Sequence, residues 1–407
     1  MSRLGPGYRR RAPGLTEAHG DIVLYATSKD GIHWEKPSLD LHVFDGSRAN
    51  NILFADAGFP SVLMDEKAAP PERYKMALWN WRESQFGYRM SHSADGLDWK
   101  AYLRNPGLVK NREVLEWITL ARDPRTAEYV AFHRRWGEAV NDRKRRLIAV
   151  ATSRDFQTWS GPDTIFRPDK TDDAWIQRAG QWTELYNMTG FGYGEQFLGL
   201  LSVFKVVKFT KLKAVSGANV SPWDGPIDVQ LVHSRNGRDW ERFEDRSPVI
   251  PRGSAGSFDA GCILSVASSP VIYNDEIWVY YTAINTTHGG PMPPKRITIG
   301  RAAWRLDGFV SLDAGSTGGV IETVPLDVAG TSLQINADAS RGAVAVEVLS
   351  AAGEPLPGYA LQDSNVIRSN GVRHLMTWKN ESRLKAQGLV RLRFHLTNAR
   401  LYSFRIK

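Results

Sequence analysis

Five acidic residues in this chain of 407 stand where chemistry is easiest to arrange: Asp56, Glu113, Glu116, Glu184 and Asp259, about one for each cluster of predicted strands. Carboxyl groups held at fixed separation carry out proton transfer, one giving a proton while another takes one. Glu184 is the best placed. It lies in Trp182-Thr183-Glu184-Leu185-Tyr186, an apolar and aromatic setting that suits a general acid. The alternative is a loop glutamate paired with a nearby arginine. Asp259 follows Gly256-Ser257-Phe258 and reads either as a base or tuning partner or as an Asx turn. Glu116, beside Trp117, is open in the same way; Glu113 is weaker, and Asp56 alternatively caps the turn before Gly58. Around these acids Trp79, Trp81, Trp117, Trp136, Tyr186 and Tyr193 offer flat rings for stacking. Strand alternation assigns about half of such rings to packing instead.

Other chemistries find little support. The chain has 9 His and no His-x-x-x-His or carboxylate cluster at metal-ligand spacing. A single cysteine, Cys262, excludes an intrachain disulfide framework and a cysteine-built zinc site. No nucleophile elbow, phosphate-binding loop or dinucleotide fingerprint occurs, so no cofactor is expected.

The elements that must position the acids announce themselves by a repeat. Ser28-Lys29-Asp30-Gly31-Ile32-His33-Trp34, Ser93-Ala94-Asp95-Gly96-Leu97-Asp98-Trp99 and Ser234-Arg235-Asn236-Gly237-Arg238-Asp239-Trp240 share one pattern. Ser153-Arg154-Asp155-Phe156-Gln157-Thr158-Trp159 is a fourth copy with Phe in the Gly place, and Leu306-Asp307-Gly308-Phe309 is a degenerate fifth. Within each box the Asp or Asn is expected to bond amides of its own turn. Gly supplies a positive φ, and Trp packs between neighbouring sheets. The box acids are therefore read as structural.

Before each box runs an alternating strand pattern (residues 24–27, 88–92, 147–152, 229–233 and 297–303). One step earlier come aromatic-rich runs at 74–81, 129–136, 197–204 and 277–284, preceded in turn by 59–64, 117–121, 185–188 and 269–273. No helical period persists. The fold class is all-β: a five-bladed β-propeller over residues 21–312, its first blade incomplete at the N-terminal side, then a linker at 313–319 and a β-sandwich at 320–407. A basic segment, 1–20, precedes it.

Net charge is +8, with basic clusters at Arg9–Arg11, Arg134-Arg135, residues 143–146 and residues 205–213. These read as solvated loop charge, and without a recognised module they do not make a nucleic-acid surface. No apolar run reaches the length of a membrane span, and the start lacks the apolar core of a secretory signal. The expected location is the cytoplasm, or the outside or periplasm for a chain whose start has been trimmed.

Strand followed by Ser-x-Asp-Gly-x-x-Trp, repeated around a propeller with a β-sandwich behind it, resembles the five-bladed glycoside hydrolases of the family-43 and family-32 type. Residues 174–204 with Thr183-Glu184-Leu185-Tyr186-Asn187-Met188, Gly256-Ser257-Phe258-Asp259, residues 299–312 and residues 398–404 resemble an uncharacterised bacterial branch of that superfamily. The resemblance implies acids at the starts of innermost strands pointing into a central funnel, and a carbohydrate partner. Glycosidic cleavage needs two carboxylates across the bond, about 5–5.5 Å apart for retention and about 6.5–9.5 Å for inversion. On that reading Glu184 protonates the leaving oxygen while Asp259 or Glu116 activates water. His288, Asp56, Trp81, Trp117, Tyr186 and Tyr193 then contact the sugar. The net positive charge acquires a second reading, attraction to an anionic polysaccharide. A non-catalytic carbohydrate-binding propeller, or a truncated enzyme with an impaired site, is the rival.

Overall fold

The computed structural model describes residues 21–55, 57–80, 87–105, 107–109, 114–140, 143–209, 221–266, 269–328, 332–379, 381–385 and 388–407. Asp56, Trp81, Glu113 and the basic segment 1–20 lie outside the described residues. Nearly every element is a strand, as the alternation predicts; α1 (Lys170–Asp173) is one helical turn. Among the described residues no helix is long and apolar enough to cross a membrane. The chain divides into two compact units, the second comprising Val271–Trp278 and Ala303–Lys407.

In the first unit β1 (Ile22–Leu24) pairs antiparallel with β2 (Ile52–Ala55). The next sheet runs β3 (Ala57–Met64), β4 (Tyr74–Asn80) and β5 (Gly87–Ser93), with β6 (Lys100–Ala101) and β7 (Leu108–Val109) on β5. Then come β8 (Val114–Arg122), β9 (Tyr129–Val140), β10 (Arg143–Ser153) and β11 (Asp163–Phe166), in that order across one sheet. After α1, β12 (Trp182–Tyr193) and β13 (Gln196–Val206) are followed by the short ribbon β14 (Lys208–Phe209) and β15 (Trp223–Asp224). β16 (Ile227–Ser234) returns to β13, with β17 (Trp240–Arg242) and β18 (Pro248–Ile250) against it. Finally β19 (Cys262–Val266) pairs in parallel with β16 and antiparallel with β21 (Glu276–Ile284), which also pairs with β22 (Ile297–Arg305); β20 (Val271–Tyr273), on residues 276–278 of β21, belongs to the second unit. The division between units falls inside β21 and β22.

Two runs differ from expectation: only Leu24 of the run 24–27 is strand, and a different segment opens the fourth cluster. The run 269–273 was read as the first strand of the fourth cluster, but β19 holds that place. Its residues Cys262, Ile263, Leu264 and Val266 are all buried, so apart from Ser265 its sequence is apolar throughout rather than alternating as a half-buried strand does.

The first strands of four successive strand clusters, β3, β8, β12 and β19, stand side by side, joined by buried polar side chains. Ser61 on β3 accepts from the Leu120 amide of β8 at 2.9 Å. Thr119 on β8 donates to the Met188 carbonyl of β12 at 2.9 Å. On β12, Asn187 donates to Leu264 of β19 at 3.0 Å and Thr189 to Val266 at 3.1 Å. Numbers rise together across the last junction, so β12 and β19 run in the same direction and start at the same end. Each of these polar groups is buried, and an unpaired one would cost about 1–3 kcal/mol, so the pairs fix strand neighbours as well as joining them.

The boxes form the turns expected of them. The Asp or Asn oxygen takes two backbone amides: Asp95 from Leu97 and Asp98 at 2.8 and 2.9 Å, Asn236 from Arg238 and Asp239 at 2.9 and 2.8 Å. Asp30 and Asp155 do the same. These bonds hold Asp155 down at about 2, the Thr158 amide being the largest cause. Gly31, Gly96 and Gly237 have φ of 70°, 80° and 71°, and Phe156 holds the same region at 63°. Phe156 tolerates it because its ring is fully buried among Tyr102, Tyr129 and Trp159.

The second unit contains two antiparallel sheets. One is β23 (Leu312–Ala314), β30 (Ala399–Ile406), β26 (Leu333–Asp338) and β28 (Asn370–Leu375). The other is β24 (Gly319–Glu322), β29 (Gly388–Thr397) and β25 (Leu326–Val328), with β27 (Ala343–Ser350) also on β29. Their inward residues, among them Leu333, Val346, Trp378, Leu392 and Phe394, share one core. The start of the expected linker, residues 313–314, is already strand, paired with β30.

Candidate active site

All four first strands break register near their starts. On β3 the pairing jumps from Gly58↔Trp79 to Ser61↔Ala77. On β8 it jumps from Val114↔Arg135 to Ile118↔His133, so Leu115, Glu116 and Trp117 face Arg134 alone. On β12 Tyr186 is the extra residue, and on β19 Leu264 is. A bulge bends the strand and re-aims the side chain it frees. Its freed carbonyls need new donors, and side chains supply them: Tyr88 donates to Leu115 at 2.6 Å and Arg134 to Tyr186 at 3.4 Å. Phe59, in the β3 bulge, has a φ of 52°, an outlier for a bulky residue.

These bulges bring Glu116 and Glu184 into one cluster. Glu116 pairs with Arg134 at 2.9 Å, and its side chain is 28% exposed against 3% for the arginine. Glu184 pairs with Arg146, accepts from the Trp182 indole at 3.1 Å, and is 1% exposed. Both guanidinium groups lie against one ring, Tyr186, at 4.9 Å for Arg134 and 5.4 Å for Arg146. Trp136 and Trp223 complete the wall around Arg146, at 5.2 and 5.0 Å. Burial opposes the charge on Arg146, yet Glu184, Tyr186 and Glu116 outweigh it and hold the guanidinium above its ordinary range.

The arginines are the largest departure from the sequence reading. Arg134 and Arg146 were assigned to solvated loop charge, but both are buried on strands. A signal was available: Arg134 alternates with Phe132 and Trp136, and Arg146 with Ile148 and Val150, so both sit on core-facing positions. The setting of Glu184 changes accordingly. Its neighbourhood is aromatic, as expected, but a guanidinium rather than apolar surface meets its carboxylate. The arginine pairing raised as the alternative is present, on a strand instead of a loop.

His288 supports Tyr186. Its Nδ1 lies 3.0 Å from the Trp223 carbonyl, where it must donate, and its Nε2 lies 3.0 Å from the Tyr186 hydroxyl. Nε2 therefore accepts from Tyr186, and both ring nitrogens are engaged by protein. Burial is the main cause that pulls this histidine down to about 4, so it is neutral at pH 7. Lys295 donates to the His288 carbonyl at 2.7 Å, and Asp224 accepts from the Gly289 amide at 2.8 Å. Among the described residues no group of three or more His, Cys, Asp or Glu is placed to hold a metal.

The remaining candidates divide. Asp259 is buried in the turn before β19, its two oxygens accepting from Ser257 at 2.8 Å and Tyr281 at 3.0 Å. Those partners are distinct from the Glu184 group. Tyr281 is pushed up to about 12, by burial first and by Asp259 next. Trp117 packs on Phe59 at 5.4 Å, and its buried indole nitrogen has no hydrogen-bond partner among the described residues. Trp79 is core, edge-on to Tyr88 at 5.0 Å. Tyr193 closes the β12–β13 hairpin, nine residues or about 30 Å along the strand from Glu184, and does not join the cluster. A concavity lined by Glu128, Thr152, Arg154 and Asp155 lies beside the box that begins at Ser153. Phe59, Arg134, Arg146, Trp223 and Lys295 carry no site role in the sequence reading.

No protein-family profile matches the chain. No curated protein matches it either. Solved structures to which it is similar include glycoside hydrolases. A thermostable family-43 glycoside hydrolase shares 14% identity at a TM-score of 0.45, covering 68% of this chain and 80% of that one. A glycosyl hydrolase from Bacteroides ovatus shares 13% at 0.42, over 72% and 77%. A third belongs to the GH130 family of mannoside phosphorylases, which contains glycoside hydrolases that target β-1,2 mannosidic linkages in Candida mannan. It shares 14% at 0.41, over 72% and 77%.

Proposed function

We propose that the protein is a glycoside hydrolase acting on an oligo- or polysaccharide where the starts of β8 and β12 meet. One observation carries this reading: Glu116, in the bulge of β8, and Glu184, two residues before the bulge of β12, flank a single aromatic ring through their arginines. Two carboxylates on separate rigid strands are what glycosidic cleavage requires. Freed of Arg146, the Glu184 carboxylate takes a proton from solvent and passes it to the leaving oxygen as the glycosidic bond breaks. Glu116, the more accessible, takes a proton from the water whose oxygen joins the sugar carbon. Arg146 must swing off Glu184 for this step, and the incoming sugar takes its place. Asp259 stands as a third acid at the start of β19, and Trp117, Tyr186 and Trp136 supply stacking surface.

The architecture we propose is a five-bladed propeller followed by a β-sandwich. Its support is the order of box contacts. Trp240 packs on Phe132 of the preceding sheet, Trp159 on the core holding Trp79 and Tyr88, and Trp99 on the core that Val23 and Phe54 join. Trp34 meets Tyr280 at 5.7 Å, and Tyr280 donates to Gly31 at 2.7 Å, which links the first box to β21. Each box thus leans on the sheet before it, the first on the last.

Glu184's burial favours a second reading, carbohydrate binding without hydrolysis, since both carboxylates are already satisfied by arginines. A panel of aryl glycosides and oligosaccharides decides between them. Hydrolysis that falls by about 10²–10⁴ in Glu184→Gln and Glu116→Gln is the expected result. Binding with no turnover by the wild type selects the second reading, and turnover unchanged in both variants removes the two acids from the role.

A further inference from the structure

We propose that Asp173 is a positioning residue that sets β10 against β12 and thereby forms the Arg146–Glu184 pair. This deepens the reading above and rests on it. Asp173 Oδ2 accepts from Arg145 Nη1 at 2.6 Å, and Oδ1 accepts from the Thr183 amide at 3.2 Å. Arg145 and Thr183 are the chain neighbours of Arg146 and Glu184. Successive side chains on a strand point to opposite faces, so Arg145 reaches Asp173 from the face opposite Arg146, while Thr183 reaches it through its backbone amide, and one carboxylate ties the two strands beside the ion pair.

The brace answers a need that the sheet itself creates. Arg145 lies between the Lys144↔Ala139 and Arg146↔Trp136 pairings, where the β9–β10 register shifts. Tyr186, two residues past Glu184, is the bulge of β12. Ladder hydrogen bonds are therefore irregular on both strands at the point where two charged side chains must meet. Asp173 bridges that irregularity.

Asp173 is itself held firmly. It ends α1, whose capping box joins Asp169 and Asp172. Arg242, on β17, grips both oxygens of the buried Asp172 at 2.7 Å, and Arg246 holds Asp169 at 2.8 Å. Thr183 adds two bonds to this segment: its hydroxyl donates to the Asp172 carbonyl at 2.7 Å and accepts from the Trp175 indole at 2.9 Å. The turn is thus fixed to β17 and to the first residues of β12 together.

The test compares Asp173→Ala and Asp173→Asn with wild type, using the full chain and the best substrate from the glycoside panel. A misplacement near 1 Å costs about 10²-fold in rate, so Asp173→Ala is expected to lower kcat by about 10- to 100-fold with KM within twofold. Asp173→Asn keeps an acceptor for Thr183 and loses the charge facing Arg145, so it should fall between. In a Glu184→Gln background, Asp173→Ala should lower kcat no further, because it acts through that pair. A crystal structure of Asp173→Ala should show Arg146 Nη1 drawn away from Glu184 beyond 4 Å. An intact contact there overturns the proposal, as does an equal kcat loss in the Glu184→Gln background. Should Asp173→Ala fail to fold, the same crystal measurement on Asp173→Asn decides. Should the wild type hydrolyse nothing, the function reading fails while the crystal comparison still judges Asp173.

Discussion

The box turns and the strand starts of the first unit make opposite use of their acids. In the boxes, Asp30, Asp95 and Asp155 recur in one sequence pattern, and each spends a carboxylate oxygen on amides two and three residues ahead. At the strand starts, Glu116, Glu184 and Asp259 share no pattern, and each takes a partner from distant chain, Arg134, Arg146 and Tyr281, with Trp182 and Ser257 as nearer second partners of Glu184 and Asp259. Repetition marks the job that is identical in every sheet, which is turning the chain. Chemistry needs groups that differ, so it sits where the sequence does not repeat. What the strand starts do repeat is geometry, since each carries a register break.

Exchanging acids between the two settings is the strongest way to break this contrast. Glu184→Gln or Glu116→Gln should cost about 10²–10⁴ in turnover. Asp95→Asn, which keeps an oxygen for the Leu97 and Asp98 amides, should leave kcat within twofold. Comparable losses from all three would erase the distinction. A melting curve for each variant separates lost chemistry from lost fold.

Next in size is the cost of orphaning a buried charge. Arg146→Leu leaves Glu184 sealed without its partner and should destabilise the protein by about 3–5 kcal/mol in denaturant unfolding. The double replacement Arg146→Leu with Glu184→Leu should recover most of that loss while abolishing turnover. Recovery of activity along with stability would count against the site.

Smaller effects sharpen the box side. Gly96→Ala meets open space and should cost about 1 kcal/mol from its φ of 80° alone. Gly237→Ala has the same kind of φ, and its added carbon would also lie 2.9 Å from the Phe197 ring, so it should cost more. Equal midpoints in urea would show that packing behind the turn does not matter.

The gentlest effect is that of pH. His133 and His288 are both held down to about 4, chiefly by burial. An unfolded histidine takes its proton near 6.5, so between pH 6.5 and 4 the unfolded state binds more protons. Stability contributed by these neutral histidines should therefore decline as pH falls through that window. His133→Asn should flatten the decline seen in urea midpoints; an unchanged slope would place the titration elsewhere.

Much of this fold was legible in advance because antiparallel strands write their burial as alternation. The aromatic runs ending near Trp136 and Phe204 match β9 and β13 closely, and the runs before the boxes at Ser93, Ser153 and Ser234 match β5, β10 and β16, whereas only Leu24 of the run 24–27 is strand. β19 escaped because it is buried on both faces and so does not alternate. The acids Glu116 and Glu184 were visible as strand-start carboxylates, but their arginines were hidden by their company. Arg134 stands beside Arg135, and Arg146 ends the basic run 143–146, so counting charge suggested solvent while counting strand positions points inward. Phe59 gave no signal, since a positive φ at phenylalanine is imposed by the β3 bulge and not by the residue.

The sequence by itself determined the local matters: which segments are strands, where the chain turns, and that the box acids serve their own turns. Those follow from side-chain period and from hydrogen bonds reaching two or three residues. Tertiary structure alone decided which acids meet and what they meet. Glu116 and Glu184 lie 68 positions apart by their numbering, and only the Thr119–Met188 bond, the bulges of β8 and β12, and the arginines from β9 and β10 bring them to one ring. Such contacts depend on register between strands, and register is a property of the assembled sheet that no local pattern encodes.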